Sequence, residues 1–302
     1  MEYEVVVIGG GPAGLSAGLY ASRARLSSLL IERGLIGGLI TEAELVENYP
    51  GFPDGISGFE LGQIMHQQVA KYGLETLLAE VTGIELQEGL KVVKATKDNF
   101  IARAVIIASG SERVKLGVSG EDGFTGKGVS YCATCDAAFF RELPVAVVGG
   151  GNVAITEALH LSKFASRVVV IHRRNELRAT RILQEKAFAD PKIEFLWDTI
   201  IAEIAGKDLV ERIRLHQVKT GEESTINISG VFISIGFKPN TAFLKGVLPL
   251  DSAGYVITNE KMETEIPGIF AAGDVRRNSA GQAITSAGDG ATAAIYAEEF
   301  LT

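Results

Sequence analysis

The sequence predicts an α/β chain of two three-layer domains of one kind, the second inserted into the first. Three observations predict it. A strand, glycine turn, helix and strand follow one another near the N-terminus, and the same unit recurs with Gly149 standing where Gly9 stands, an offset of 140 residues. Each unit leads into short apolar segments and then a strand that closes on glycine, at Gly110 and at Gly236. The last ~60 residues have no third glycine turn and are too short to bury a core alone, so they complete the first domain. A length of 302 residues suits two domains at roughly 100–200 residues each.

The elements follow in chain order. Glu4 to Ile8 (EVVVI) is a short β-branched apolar run, the pattern of a strand. GGGPAG follows from Gly9 to Gly14, then the small-residue helix LSAGLYASRA, then SSLLIE, a strand ending at Glu32. Val81 to Val93 and Phe100 to Ala108 read as strands of a meander. A boundary is expected near Ser111 to Gly117. The second copy runs from PVAVV (Pro144 to Val148) through GGGNVA and the helix ITEALHLSKFA to RVVVIH, which ends in His172. GVFISIG closes it at Gly236, and a second boundary is expected near Asn240 to Gly246. GIFAAGD then ends on Asp274, and the chain finishes in a helix. The division read from this is 1–112, 113–243 and 244–302.

Composition narrows the function. The chain is 46% hydrophobic and 22% charged, as globular proteins are. Its 35 glycines, about 12% against a usual ~7%, cluster in tight turns, where backbone comes close to something. A formal charge of −8 argues against nucleic acid or an anionic membrane as the main partner. The apolar stretch behind Glu2 and Glu4 is broken by glycines and Pro12, which predicts neither a secretory signal nor a membrane span, and a cytoplasmic protein is expected. The two cysteines, Cys132 and Cys135, form a C-x-x-C, a spacing that in the cytosol points to redox or metal chemistry.

Three constellations carry chemistry. The first is G-x-G-x-x-G at Gly9, Gly11 and Gly14. Its glycines permit the turn, admit a pyrophosphate and let helix and strand pack closely, while the helix N-terminus offers N–H donors to the phosphates. Glu32, at the end of the next strand, is placed to accept from ribose hydroxyls. The second is Gly149, Gly151 and Ala154, whose next strand ends in His172, Arg173 and Arg174, with Arg178 one turn later. Arginines there pair with a 2′-phosphate that a carboxylate would repel, so this site reads as NADPH-binding. An ordinary glycine turn and a solvated arginine cluster are the plain alternatives. The third is Cys132-Ala-Thr-Cys135-Asp136, a pair able to form a reducible disulfide beside an acid that can move protons. Zinc ordinarily needs four Cys or His ligands, and the chain offers only these two cysteines and four histidines. A nicotinamide gives a hydride and a disulfide is a poor hydride acceptor; a flavin between them serves both, and FAD fits the first site.

At this point the sequence resembles the low-molecular-weight thioredoxin reductases, class II of the pyridine nucleotide-disulfide oxidoreductases. The resemblance lies in GGGPAGLSAGLYASRA, ENYPGFP, KGVSYCATCD, GGGNVAITEALHLSKFASRVVVIHRR, FISIGFKPNT, GIFAAGDVR and QAITSAGDG, in family order over nearly the whole chain. It implies two Rossmann-like domains, the NADPH domain inserted into the FAD domain. It implies FAD on Gly9, Gly11, Pro12, Ala13, Gly14, Glu32, Arg33, Gly38, Leu39, Asn48, Val81, Gly273, Asp274, Gln282 and Ala283. It implies NADPH on Gly149, Gly151, Asn152, Val153, His172, Arg173, Arg174 and Arg178. It makes Cys135 the cysteine beside the flavin, Cys132 the one that attacks the partner's disulfide and Asp136 the proton handler. A thioredoxin-like substrate and a cytoplasmic homodimer are implied as well.

The chain departs from the family pattern in four places. Leu39 replaces a usual Gln, Gly281 a usual Arg, and Ser109 a usual Thr. Ala137 and Ala138 follow CATCD where Gly and bulky aromatics are usual, leaving Phe139 and Phe140. These bear on the donor, the flavin and the partner. Rival readings keep the scaffold with reduced ferredoxin or NADH as donor, or with a peroxiredoxin-system protein, or a small dithiol and oxygen, at the other end. A flavin-binding sensor is a further rival, but it would need neither CATCD nor a second nucleotide turn. Because the redox pair precedes Gly149 in the inserted domain while the flavin turn lies in the other, alternation by domain rotation is expected. Trp197 reads as packing.

Overall fold

The computed structural model describes residues 2–43 and 45–302; Glu44 and the side chain of Cys135 lie outside the described set. The chain divides into two compact units, unit 1 from Met1–Glu112 and Lys238–Thr302, and unit 2 from Arg113–Phe237. Residues 238–243, read from the sequence as the end of the inserted part, belong instead to unit 1. The physical reason is local: the Asn240 backbone N–H donates to the Gly110 carbonyl at 3.0 Å, and its side chain donates to the Ser109 carbonyl at 2.9 Å. The Ser109 hydroxyl, kept by the Thr-to-Ser departure, returns a bond to the Asn240 carbonyl at 2.8 Å.

Unit 1 begins with β1 (Glu2–Ile8), α1 (Pro12–Arg23) and β2 (Ser28–Glu32), followed by α2 (Gly58–Ala70) and β3 (Glu75–Leu78). The meander follows as β4 (Val81–Gln87), β5 (Leu90–Ala95) and β6 (Asn99–Ile107). The stretch 81–93, read as one strand, is thus a hairpin. Glu88 (φ 45°) and Gly89 (φ 86°) reverse the chain, both in the left-handed conformation of a tight two-residue turn. The chain leaves along β7 (Ser111–Arg113).

Unit 2 runs β8 (Val129–Ser130), α3 (Ala133–Asp136), β9 (Pro144–Val148), α4 (Asn152–Leu161), β10 (Arg167–Ile171), α5 (Arg181–Ala189) and β11 (Ile193–Leu196). A three-stranded antiparallel sheet of β12 (Thr199–Gly206), β13 (Val210–Gln217) and β14 (Glu223–Asn227) precedes β15 (Gly230–Ile233). β16 (Phe237–Pro239) carries the chain back beside β7. Unit 1 is then completed by β17 (Ile269–Ala271) and α6 (Ala283–Leu301).

In unit 1 the sheet order is β3-β2-β1-β6-β5-β4, with β17 also paired to β6; β3, β2, β1, β6 and β17 are parallel. The apolar run of β1 serves two cores. Val5 and Val7 pack with Leu15 and Ala17 of α1 and with Ala293, Ala294 and Ala297 of α6. Val6 and Ile8 face the meander side, with Ile84, Val93 and Phe100. Alternate residues therefore point to opposite faces, and both faces are covered, as parallel strands require.

Unit 2 repeats the plan with the parallel order β11-β10-β9-β15-β8. Val145 and Val147 face Ala154, Ile155, Ala158 and Leu161 of α4, while Ala146 and Val148 face Ile201, Ile204, Ile213 and Leu215 of the antiparallel sheet. Each unit is thus a helix layer, a parallel sheet and a β-meander, the α/β architecture of Rossmann-like nucleotide-binding domains. Among the described residues no helix is long and apolar enough to cross a membrane.

Candidate functional site

The first glycine turn is built as its sequence requires. Gly9 has φ +108°, and a Cβ there would lie 2.2 Å from the Ala108 carbonyl oxygen. A Cβ at Gly14 would stand 1.8 Å from the Gly9 carbonyl oxygen, so glycine is what lets α1 lie on the turn. Gly11 differs: its backbone is extended (φ −76°), and a Cβ would meet only ordinary contacts at 3.9 Å. Folding alone makes no demand for glycine at that position, so the room it keeps is room for something else.

The helix ends agree. α1 starts at Gly11 and Pro12 with no side-chain cap and no acid in its first turn. α4 starts at Gly151 in the same way. By contrast α2 is capped by Ser57, whose hydroxyl accepts from the Glu60 N–H at 3.1 Å, with Glu60 adding an acid. Uncapped N-termini behind glycine turns present free N–H donors and partial positive charge, the requirements of a phosphate.

Within unit 1, Gly9, Glu32, Arg33 and Val81 line one cavity of about 370 Å³, with Ser109, Asn240 and Thr241 on its wall. The Glu32 carboxylate accepts from Gly10 N–H at 2.5 Å and Gly34 N–H at 2.7 Å, which fixes it at the cavity edge. Gly38 comes against Gly11, where an added Cβ would stand 2.9 Å from the Gly11 Cα. Leu39, next to it, is exposed. Ala13 packs against Gly273. Asp274 accepts from the hydroxyls of Ser279 (2.8 Å) and Ser286 (3.2 Å). Asn48 donates to Gln282 Oε1 at 3.0 Å, joining residues far apart in sequence at the start of α6, where Ala283 follows. Gly281, beside them, has open space where the family's arginine would stand. Among the expected residues the cavity lining includes only Gly9, Glu32, Arg33 and Val81; Asn48, Asp274 and Gln282 lie outside it.

In unit 2 the second turn repeats the first. Gly149 has φ +148° and packs on Ala154, while Gly151 is extended with nothing within 4 Å of an added Cβ. Asn152 accepts from Thr180 N–H at 2.8 Å, and the Arg178 N–H donates to the Gly150 carbonyl at 2.7 Å, which brings the 178–180 segment to the turn. Val153 is exposed. His172 is buried, its ring filling the space above Gly150. Arg173, Arg174 and Arg178 are exposed, and none forms an ion pair with a described residue. Three uncommitted guanidiniums around one turn favour a highly charged anion.

The cysteine pair lies on the same unit. Cys132 is disulfide-bonded and precedes α3; Cys135 and Asp136 are within α3. The Cys132 N–H donates to Ser130 Oγ at 3.1 Å, and Thr134 Oγ1 stands 3.3 Å from Cys132 Sγ. Ala137 is buried. Of the two aromatics that follow, only Phe139 is exposed, at 62%. Phe140 turns inward, edge-on to Phe232 at 5.2 Å, so it packs on the core and Phe139 is the exposed one of the two. Trp197 stacks on Phe195 at 5.1 Å, in keeping with packing. Among the described residues no group of His, Cys, Asp and Glu could hold a metal ion.

Sequence reasoning missed Glu157 and Ser234. The Ser234 hydroxyl donates to Glu157 Oε2, and Ala133 N–H donates to Glu157 Oε1 at 3.4 Å. The signal was present: Ala154, Ala158 and Leu161 mark the buried stripe of α4, and a carboxylate falls on it.

Comparison with known proteins comes out in one direction. Residues 3–290 match the family described as pyridine nucleotide-disulphide oxidoreductase. The chain is 45% identical over 300 residues to the thioredoxin reductase of Bacillus subtilis, covering 99% of this chain and 95% of that one. It is 45% identical over 301 residues to the thioredoxin reductase of Streptomyces coelicolor, covering 99% and 94%. The crystal structure of thioredoxin reductase from Streptococcus pyogenes superposes with a TM-score of 0.85 at 44% identity, covering 99% of this chain and 98% of that one.

Proposed function

The chain belongs to the pyridine nucleotide-disulphide oxidoreductase family, and from that premise we propose that it is a flavoprotein reductase that carries electrons from NADPH through FAD and the Cys132–Cys135 pair to the disulfide of a thioredoxin-like protein. One observation carries the reading: a C-x-x-C whose Cys132 is disulfide-bonded stands on the same unit as a glycine turn ringed by uncommitted arginines. Whole-length likeness to proteins named thioredoxin reductase supports it.

The residues present fit both nucleotides. In unit 1, Gly9, Gly11 and the uncapped first turn of α1 (Pro12, Ala13, Gly14) hold the FAD pyrophosphate. Glu32 takes the ribose hydroxyls, Arg33 and Val81 flank the cavity, and Gly38, Leu39, Asn48, Gly273, Asp274, Gln282 and Ala283 line the remainder of the site. In unit 2, Gly149, Gly151, Asn152 and Val153 hold the NADPH pyrophosphate, and Arg173, Arg174 and Arg178 take its 2′-phosphate, with His172 supporting the turn. Bound flavin supplies the step from a two-electron hydride donor to a disulfide. The reduced pair then does the chemistry. The Cys132 thiolate attacks one sulfur of the partner's disulfide and forms a mixed disulfide. Cys135 attacks Cys132 in turn, which restores the cystine and releases the partner as a dithiol, while Asp136 holds and passes the proton. Exposed Phe139 offers the partner an apolar contact beside the pair. A cytoplasmic homodimer is part of this proposal, supported by the likeness alone.

Stopped-flow bleaching of the flavin tests the donor. NADPH is expected to bleach it well ahead of NADH, and replacing Arg173 and Arg174 with Gln should raise the NADPH KM by about tenfold or more, the worth of lost charge-assisted contacts, with NADH unaffected. Cys132→Ser should keep flavin reduction and lose thioredoxin reduction. Equal bleaching by NADH, bleaching only by reduced ferredoxin, or thioredoxin reduction by the serine variant would each overturn the reading.

A further inference from the structure

Unit 2 holds an ionisable group that the proposed chemistry leaves unused. Glu157 lies on α4, one turn past the second glycine turn, on the side carrying the fully buried Ala154, Ala158 and Leu161. A carboxylate on that stripe is costly unless it is hydrogen-bonded. Two donors meet it from different elements: the Ser234 hydroxyl, immediately after β15, and the N–H of Ala133, the residue that follows Cys132. The acid therefore ties the end of a core strand to the first residue of the redox helix. The other charge bearing on it is Arg113, whose cation favours its ionised form.

We propose that Glu157 is a positioning residue for the redox pair: held by Ser234, it fixes the turn that presents Cys132 and keeps a negative charge behind that sulfur, which sets how readily the thiol ionises. The inference rests on the reading of Cys132 and Cys135 as a redox pair. The two roles are linked through one side chain. Its Oε1 accepts from the backbone of α3, so any charge on it is felt by a thiolate formed one residue away. Burial pushes the Glu157 acid above the usual carboxylate range, against the pull of Ser234, Ala133 and Arg113. An acid raised in this way takes up its proton closer to neutrality, so its charge and the sulfur's ionisation move against each other.

Glutamine preserves the size and the accepting oxygen but removes the charge. The full-length flavoprotein is reduced with dithiothreitol, freed of reductant and treated with iodoacetamide across pH 5 to pH 9, and the label on the Cys132 peptide is counted by mass spectrometry. Glu157→Gln should move the half-point of alkylation to lower pH and make alkylation at pH 7 roughly threefold faster than in the parent, as expected from removing a nearby like charge. Ser234→Ala, which takes a hydrogen bond from the ionised acid, should shift the half-point the same way by less, and it carries the test if the glutamine variant fails to fold. A loss of melting temperature with an unmoved pH profile would mark Glu157 as structural only and overturn the proposal. Because the assay needs neither NADPH nor thioredoxin, a shifted profile in a protein that fails to reduce thioredoxin would sink the functional reading and leave this one standing.

Discussion

His172 supports the second glycine turn with its ring. The imidazole is 5% exposed, and a side chain at Gly150 would run into it, 2.4 Å from Cε1. Its Nε2 is buried with no hydrogen-bond partner among the described residues. Burial pushes the ring's pKa down, a hydrogen bond to the Glu176 backbone pulls it up, and the cations of Arg178, Arg174 and Arg173 press it lower still, for a net fall. The sign follows directly. With the folded value below the unfolded one near ~6.5, the unfolded chain binds the proton more tightly between the two values. The stabilisation is complete above the unfolded value and is lost as pH falls through the window beneath it. Melting temperature should therefore drop between pH 7.5 and pH 5.5, and His172→Gln should flatten that stretch of the curve. An equal slope in the variant would mean that another group governs it.

The two glycine turns hold some glycines that folding demands and others that it does not. Gly14 leaves no room for a Cβ against the Gly9 carbonyl, whereas Gly151 faces open space. Gly14→Ala should thus push α1 off its strand and cost about 1–3 kcal/mol or more, read as a fall in melting temperature with loss of yellow flavin. Gly151→Ala should melt like the parent while weakening NADPH, read as a rise in KM with little change in stability. Reversed results would mean the turns are not organised around ligands. This level of structure was well written in the sequence. The apolar runs at β1, β9 and β10, and the glycine spacing after them, are set by neighbours in the chain, and both βαβ units formed as their patterns require. The hairpin at Glu88–Gly89 was less legible, because Leu86 and Leu90 flank it closely and the turn is made by Glu-Gly rather than the usual Asn-Gly or Asp-Gly. Glu157 was legible in its period but not in its purpose, since Ser234 and Ala133 reach it only through tertiary folding. The inward turn of Phe140 was hidden for the same reason: Phe232, its partner, lies on a distant strand.

For the whole molecule, the proposed reading puts the donor turn and cysteine pair on unit 2 and the flavin turn on unit 1. Both pyridine nucleotide and cystine must reach the same flavin, so alternation between two states is the proposal at this scale. A reversible cross-link engineered between the units should stop steady-state turnover and release it on cleavage; unchanged turnover in the locked form would end that idea. The crossings themselves carry a second message. β7 and β16 leave and return side by side, and Asn240 is stitched to Ser109 and Gly110 on the near side. The inserted segment thus starts and stops at one doorway. A piece of chain with adjoining ends can be lifted out and another set in its place with little penalty in loop closure, so the same flavin platform can be refitted with different electron-delivery cassettes while its own core stays intact.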